Sequence, residues 1–230
     1  MYSYDQTLIL SISNLSCTII SFLAEFCFFY RYFSCNQASS ILKPAFSLIV
    51  SCTLYSLANI MAYFPQSDIM CNVQGLIRST AVISTALWIL FLAYNIHQQY
   101  VYSKNTSGNF KVQLLANIVI SPTPGTVTWI LSLYFTNPHI GESFGGVMCE
   151  ILPLYEQMWC IDAPVWLILI IALIFLCRTT CAMKNAPENE VSANAACFLR
   201  YPFLMSVVVL PFVFNIASLL FEDALPFGFS

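Results

Sequence analysis

Apolar residues run along this chain in long blocks, and each block is separated from the next by a short polar stretch. A helix that crosses the hydrocarbon of a bilayer needs about 20 apolar residues. The blocks that reach this length are 7–33, 42–64, 71–102, 112–135, 159–181 and 195–221. The pattern therefore predicts an all-α membrane protein, with six transmembrane helices in a single polytopic domain over residues 1–230.

The third helix, 71–102, is the one around which we expect the others to pack. At 100° per residue, its larger polar and special residues fall within a wedge of about 120°. These residues are Cys71, Gln74, Arg78, Thr85, Trp88 and Asn95. Large polar groups are costly in lipid, so the wedge should face a bundle or a wet cavity. Ser79, Thr80 and Ser84 lie outside it, where their hydroxyls can bond back to their own helix.

The wedge residues have two interpretations that stay open. Gln74, Thr85 and Trp88 are candidates for a ligand pocket, and Asn95 is a candidate for helix packing or switching. All four could instead simply hold helices together, and packing is the first interpretation for Thr85 and Trp88. Such polar contacts between helices are common in membrane bundles.

Arg78 is the one basic residue of the third helix. It lies seven residues, or about 10 Å, beyond Cys71 along the helix axis. A buried guanidinium needs an anionic or carbonyl partner. Arg78 is therefore predicted to extend to the outer membrane interface, to pair with a loop carboxylate such as Glu150 or Asp162, or to receive an anionic group of a ligand.

Two further features lie inside predicted helices. Ser121–Gly125 reads SPTPG, and its two prolines remove backbone donors, so the fourth helix should kink or break there. Glu25 is an acid within the first predicted helix. An ionisable group at that depth marks either a functional site or a hydrogen bond between helices.

Composition supports a lipid environment for the whole chain. Hydrophobic residues make up 59% of the sequence and charged residues 8%, against roughly 25% charged in soluble domains. The net charge of −3 is small and has the wrong sign for binding nucleic acid. The partners expected are a bilayer and the other helices, not DNA or RNA.

Charge placement predicts the orientation, because basic residues collect in cytosolic loops. Seven of the eight lysines and arginines fall on one side of the predicted helices: Arg31, Lys43, Lys104, Lys111, Arg178, Lys184 and Arg200. The N-terminus is therefore predicted to be extracellular, with the protein in the plasma membrane. With six helices the C-terminus is extracellular too.

Two cysteines are predicted to face the oxidising side. Cys71 begins the third helix and Cys149 lies in the long loop that follows the fourth. Disulfides form and persist in oxidising compartments. A Cys71–Cys149 bridge is favoured, and Cys160 is the rival partner.

Catalytic chemistry is not predicted. His97 and His139 are isolated, and Gly141–Gly146 (GESFGG) is a loop with no lysine after it, so it is not a phosphate cradle. We therefore expect no enzyme activity, no cofactor and no metal.

Residues on two predicted helices resemble a known receptor family. The third helix carries Cys71, Gln74, Trp88, Ala93 and Asn95. The sixth carries Tyr201, Pro202, Pro211 and Asn215. In this spacing they resemble the third and sixth helices of the cyclic-AMP-receptor-like G-protein-coupled receptors, and Cys149 resembles the cysteine of that family's second outer loop.

The resemblance implies a bundle of seven helices, an extracellular ligand and signalling through a heterotrimeric G protein. It also implies that prolines Pro202 and Pro211 give the sixth helix a hinge. The chain departs from the family in lacking Trp-Gly-x-Pro in the fourth helix, a tryptophan before Pro211, and a seventh helix. A sequence truncated before the seventh helix is the expectation that follows.

Two alternatives to a receptor remain. The broken fourth helix suits a small transporter or channel, since discontinuous helices build substrate sites in transporters. No internal repeat accompanies it. A membrane scaffold or receptor fragment that does not signal is the other alternative.

Overall fold

A computed structural model describes residues 12, 15–16, 18–27, 29–30, 42–61, 63, 68–102, 109–134, 140–143, 148–151 and 158–184. The predicted sixth helix, 195–221, lies outside these residues, and with it Tyr201, Pro202, Pro211 and Asn215. The chain divides into two compact units between Cys177 and Arg178. The packing described below belongs to the first unit.

Helices make up most of the described structure. They are α1 (Thr18–Cys27), α2 (Leu42–Met61), α3 (Asp68–Tyr102), α4 (Phe110–Ile120), α5 (Thr123–Tyr134) and α6 (Ala163–Lys184). A π-helical turn, Met158–Asp162, leads into α6. Two short strands, β1 (Ile140–Ser143) and β2 (Met148–Ile151), lie between α5 and that turn.

Three described helices are long and apolar enough to cross a membrane. They cover Lys43–Met61, Ile69–Tyr102 and Cys160–Ala182, and they match the predicted second, third and fifth helices. The described part of the first predicted helix, Thr18–Cys27, is shorter than a membrane span. The mainly helical, membrane-associated character is therefore confirmed, whereas three of the six predicted spans have a described helix of sufficient length.

The outward faces of these helices are apolar. On α4, Val112, Leu115 and Ile118 are spaced three residues apart and are 60–70% exposed. Leu167 and Leu173 on α6 are exposed to a similar degree. Side chains of this kind are stable against lipid tails and unfavourable against water, which supports a bilayer as the solvent.

The longest helix, α3, lies at the centre of the first unit. It contacts α2, α4, α5 and both strands. Just over half of its most apolar window is buried, 56%, against 28% in each of the other two spans. Leu92, Ala93 and Ile96 are almost fully buried. This placement agrees with the expectation that the other helices pack around the third.

The fourth predicted helix is interrupted and forms two helices. The break predicted at Ser121–Gly125 is present, because α4 ends at Ile120 and α5 begins at Thr123. Pro122 and Pro124 have no N–H to donate, so the carbonyls four residues before them lose their helical partners. The two pieces have 11 and 12 residues, and neither reaches the length of a span by itself.

The loop after α5 contains a hairpin that the hydrophobic pattern did not predict. β1 and β2 pair antiparallel, with Ile140 opposite Ile151 and Glu142 opposite Cys149. The stretch expected to be a loop, Gly141–Gly146, thus begins inside β1. Both strands lie against α3, and β1 also lies against α5.

Candidate functional site

The predicted wedge of α3 is buried in the protein. Cys71, Gln74, Thr85, Trp88 and Asn95 are each at most 9% exposed. Arg78 is half-buried. The inward orientation expected from the helical wheel agrees with this burial, and a role in ligand binding stays a prediction.

Asn95 makes a reciprocal pair with a residue of α4. Its Nδ2 donates to Gln113 Oε1 at 3.1 Å, and Gln113 Nε2 donates back to Asn95 Oδ1 at 2.8 Å. Both residues are buried. The pair satisfies two amides at once in a region where water is scarce, so Asn95 acts here in helix packing.

Trp88 lies about two turns before Asn95 on α3. Its ring stacks on Phe110 of α4 with centroids 5.8 Å apart, and it meets Phe91 edge to face at 5.7 Å. These geometries are the favoured ones for aromatic pairs. Trp88 is therefore a packing residue at the junction of α3 and α4.

Ser84 joins three helices. Its Oγ donates to Asn117 Oδ1 of α4 at 2.8 Å and lies 2.7 Å from Ser51 Oγ of α2. Asn117 Nδ2 donates to the Ser84 carbonyl at 3.1 Å. The expectation that Ser84 bonds back to its own helix is wrong, because α4 brings an amide within reach. Ser79 does bond back, to the Leu76 carbonyl at 3.1 Å.

The helix α5 approaches α3 closely at Gly125. A Cβ at this position would lie 2.5 Å from Ser79 Oγ and 2.9 Å from Leu76 Cδ1. Only glycine allows the two backbones to come this near, as small residues do at many membrane helix interfaces. The second half of the broken helix is thereby held against the first half of α3.

Gln74 is the most deeply buried polar side chain of the wedge. It is fully buried, and its Nε2 donates to the Ala58 carbonyl of α2 at 3.0 Å. Its Oε1 has no hydrogen-bond partner. Gln74 therefore links α3 to α2 through its Nε2, and its Oε1 remains an unpaired hydrogen-bond acceptor.

Glu25 lies between α1 and α2. Its Oε1 accepts hydrogen bonds from Ser56 at 3.1 Å and from Ser21 at 3.3 Å. Because Ser56 belongs to α2, the hydrogen bond between helices that was one interpretation of this acid is present. The other oxygen, Oε2, is buried and has no partner.

Arg78 contacts an aromatic ring of α2. Its guanidinium carbon lies 5.9 Å from the centroid of Tyr55, within the range of a cation–π interaction. The predicted pairing with Glu150 or Asp162 and the predicted anionic ligand stay predictions.

Two grooves flank α3 in the described structure. One of about 560 Å³ lies between α2, α3 and the α4–α5 break. Its polar lining residues include Ser51, Ser84, Asn117 and Ser121. The other, of about 400 Å³, lies between α3, α4 and α6. Of the four predicted pocket residues, Trp88 lines the first groove, whereas Gln74, Arg78 and Thr85 line neither.

The described cysteines reduce the number of candidates for the predicted disulfide. Cys160, the rival partner, is a free thiol. Cys71 is buried and is not among the free thiols of the described residues. Cys149 lies on β2, and its side chain falls outside what the structure describes. The Cys71–Cys149 bridge stays a prediction.

Hydroxyls and amides are the main polar groups around α3 in the described residues. In those ranges no group of three or more His, Cys, Asp or Glu side chains could hold a metal ion. What α3 gathers instead is a set of hydroxyls and amides, many of them paired across helices.

Several of these partners were missed from the sequence. Gln113, Asn117 and Asn59 are amides inside apolar stretches, and Gln113 and Asn117 are four residues apart on one face of α4. Amides spaced in this way within a membrane helix indicate contacts to a neighbour. The signal was present, although it does not say which helix is the neighbour.

Comparison with known proteins finds no family model that matches this chain and no curated protein that is significantly similar to it.

Proposed function

We propose that this chain is a receptor of the seven-helix G-protein-coupled type, similar to the cyclic-AMP-receptor-like family. It senses an extracellular ligand and signals through a heterotrimeric G protein. The observation that carries the proposal is the coincidence, on α3, of the residues that resemble the family and the centre of the packing.

Four of the five α3 residues that resemble the family take part in the packing around this helix. Gln74 bonds to α2, Asn95 bonds to α4, Trp88 stacks on α4, and Ala93 is fully buried. A helix whose polar side chains bond to several neighbours can transmit a change at one end to the other end, because its partners must move with it. This supports a signalling role for the bundle.

The extracellular end is part of the same proposal. Side-chain contacts of α3 with α4 and α5 pair Asn95 with Gln113, Ser84 with Asn117, and Leu76 with Gly125. The chain after α3 therefore runs antiparallel to it, and the hairpin that follows α5 lies near the start of α3. A Cys71–Cys149 disulfide would tie that hairpin to α3 on the extracellular side.

Guanine nucleotide exchange tests the receptor. The chain is placed in membranes with a heterotrimeric G protein, and small anionic solutes are supplied from outside, with cyclic AMP as the first probe. We expect exchange to rise above that of membranes without the chain, and the rise to disappear in Arg78→Ala protein that still reaches the surface. Lys43→Ala, an exposed cation of α2, serves as the control and should respond normally.

A transporter or channel is the second candidate, and the α4–α5 break favours it. Pro122 lines the larger groove, and interrupted helices at such positions build solute sites in transporters. Solute flux into liposomes that contain the purified chain, without any effect on nucleotide exchange, would favour this function over the receptor.

A further inference from the structure

The larger groove, between α2, α3 and the α4–α5 break, is open to lipid. Its volume is about 560 Å³, within the range of roughly 300–1,000 Å³ found for small-molecule sites. None of its described lining residues carries a charge. Four lining side chains are apolar and 37–60% exposed: Val50, Leu54, Leu114 and Ile118. A molecule dissolved in the hydrocarbon can therefore enter from the side, whereas an ionic group would find no partner there.

Three serines that line this groove lie halfway along their helices. Ser51 is near the middle of α2, Ser84 is near the middle of α3, and Ser121 is at the break between α4 and α5. Because α2 and α3 are long enough to cross a bilayer, their middles belong near the centre of the hydrocarbon. Lipid tails offer no hydrogen-bond partner at that depth.

Two of the three serines are already paired. Ser84 Oγ donates to Asn117 Oδ1 at 2.8 Å and lies 2.7 Å from Ser51 Oγ. Asn117 Nδ2 donates to the Ser84 carbonyl at 3.1 Å. These three side chains hold α2, α3 and α4 together and need no ligand, so any polar group of the groove that lacks a partner belongs to the α4–α5 break.

The break provides two such groups within one helical turn. Ser121 is 4% exposed and its N–H donates to the Asn117 carbonyl at 3.0 Å, but no hydrogen bond between described residues involves its hydroxyl. Ser121 has helical backbone angles, φ −65° and ψ −38°, so the Ile118 carbonyl points along the axis toward position 122. Pro122 has no N–H to meet it. Ile118, Ser121 and Pro122 all line the groove.

We propose that this groove binds an uncharged lipid that carries a hydroxyl within the hydrocarbon, such as a long-chain alcohol with its hydroxyl at mid-chain. The lipid hydroxyl accepts a hydrogen bond from Ser121 Oγ and donates one to the Ile118 carbonyl, and its chain packs against the exposed apolar lining. An unpaired hydroxyl and an unpaired carbonyl are both costly at this depth, so each satisfies the other. The site requires no receptor activity.

Competition binding tests the chemistry of the ligand. The purified full chain is placed in phosphatidylcholine nanodiscs with a tritiated long-chain alcohol whose hydroxyl is at mid-chain, and binding should saturate at one molecule per chain. The competitors are the ketone with its oxygen at the same carbon and the alkane of the same length. The ketone accepts from Ser121 but cannot donate to Ile118, so it should compete about three- to tenfold less well than the unlabelled alcohol. The alkane should compete least.

Variants assign the binding to the groove. Ser121→Ala should weaken binding of the alcohol about three- to tenfold and leave competition by the alkane unchanged. Thr123→Ala is the matched control at the same break, because its hydroxyl donates to the Val119 carbonyl at 2.6 Å and Thr123 does not line the groove; it should bind the alcohol normally. Val50→Trp places a large ring in the groove and should abolish binding.

Three results would overturn the proposal. The first is the absence of saturable binding of the alcohol. The second is an alkane that competes as well as the alcohol, which would mean that ordinary lipid tails fill the groove. The third is unchanged binding in Val50→Trp, which would place the alcohol elsewhere on the chain. If Ser121→Ala does not fold, the comparison of alcohol with ketone on the unmodified chain and the Val50→Trp variant decide.

Discussion

At the scale of single residues, the α3 interface depends on which atoms find partners. Asn95 is fully paired, Gln74 is half-paired, and both are buried polar residues of the same predicted wedge. The wheel could predict that they face inward because burial follows the 100° period. The helical wheel could not predict their hydrogen-bond partners. Those partners depend on which residues of α2 and α4 lie at the same depth in the bundle.

Gly125 shows the same dependence on a neighbour, and it gives a direct prediction. Gly125→Ala should destabilise the chain by about 1–3 kcal/mol through overpacking, against the roughly 1 kcal/mol that alanine gains over glycine in a helix. We expect the clash to dominate, because Ser79 Oγ is held by the Leu76 carbonyl. Thermal unfolding in detergent or lipid measures the change.

The companion variant is Ser79→Ala. Removing Oγ clears the 2.5 Å contact and loses only a bond within α3, so Ser79→Ala alone should have little effect. Combined with Gly125→Ala, it should recover part of the lost stability. If the double variant is no more stable than Gly125→Ala, the close approach of α5 to α3 is not as described.

At the scale of elements, the sequence predicted the positions of the helices better than the contacts between them. The spans at α2, α3 and α6 and the break between α4 and α5 follow from apolar length and from proline. The β1–β2 hairpin does not, because four-residue strands are too short to show a clear alternation and rest against α3. The contact between Ser84 and Asn117 could not be predicted either, because the helical wheel of α3 carries no information about the residues of α4.

The α3–α4 pairing gives the element-scale prediction. Replacing Asn95 by alanine leaves both polar atoms of Gln113 without their partner. Hydrogen bonds between membrane helices couple by about 0.6–1.7 kcal/mol, so a double-mutant cycle over Asn95→Ala and Gln113→Ala should return a coupling of that size. Stability in mild denaturing detergent is the measurement. A coupling near zero would mean that the reciprocal pair contributes nothing to the packing of α4.

At the scale of the whole molecule, the first unit is a bundle of apolar helices organised by α3. The exposed apolar faces of α4 and α6 and the buried polar groups of α3 have the distribution that a bilayer requires: apolar side chains outside, and polar groups inside, many of them paired across helices. The receptor proposal depends on this arrangement. It does not hold if α3 lies at the edge of the bundle.

Cross-linking in native membranes tests the central place of α3 most directly. Ser84→Cys is paired separately with Ser51→Cys on α2 and with Asn117→Cys on α4, and the linked peptides are identified by mass spectrometry. The hydroxyls of Ser51 and Ser84 are 2.7 Å apart, and Ser84 Oγ lies 2.8 Å from Asn117 Oδ1. Both pairs should therefore be joined by a short thiol-reactive cross-linker.

The control pair is Val73→Cys with Asn117→Cys, since Val73 is exposed and lies 11 residues, about three helical turns, before Ser84 on α3. The account predicts strong cross-links from Ser84 to both α2 and α4 and none from Val73. Cross-links that are absent at Ser84, or equally strong at Val73, would contradict it.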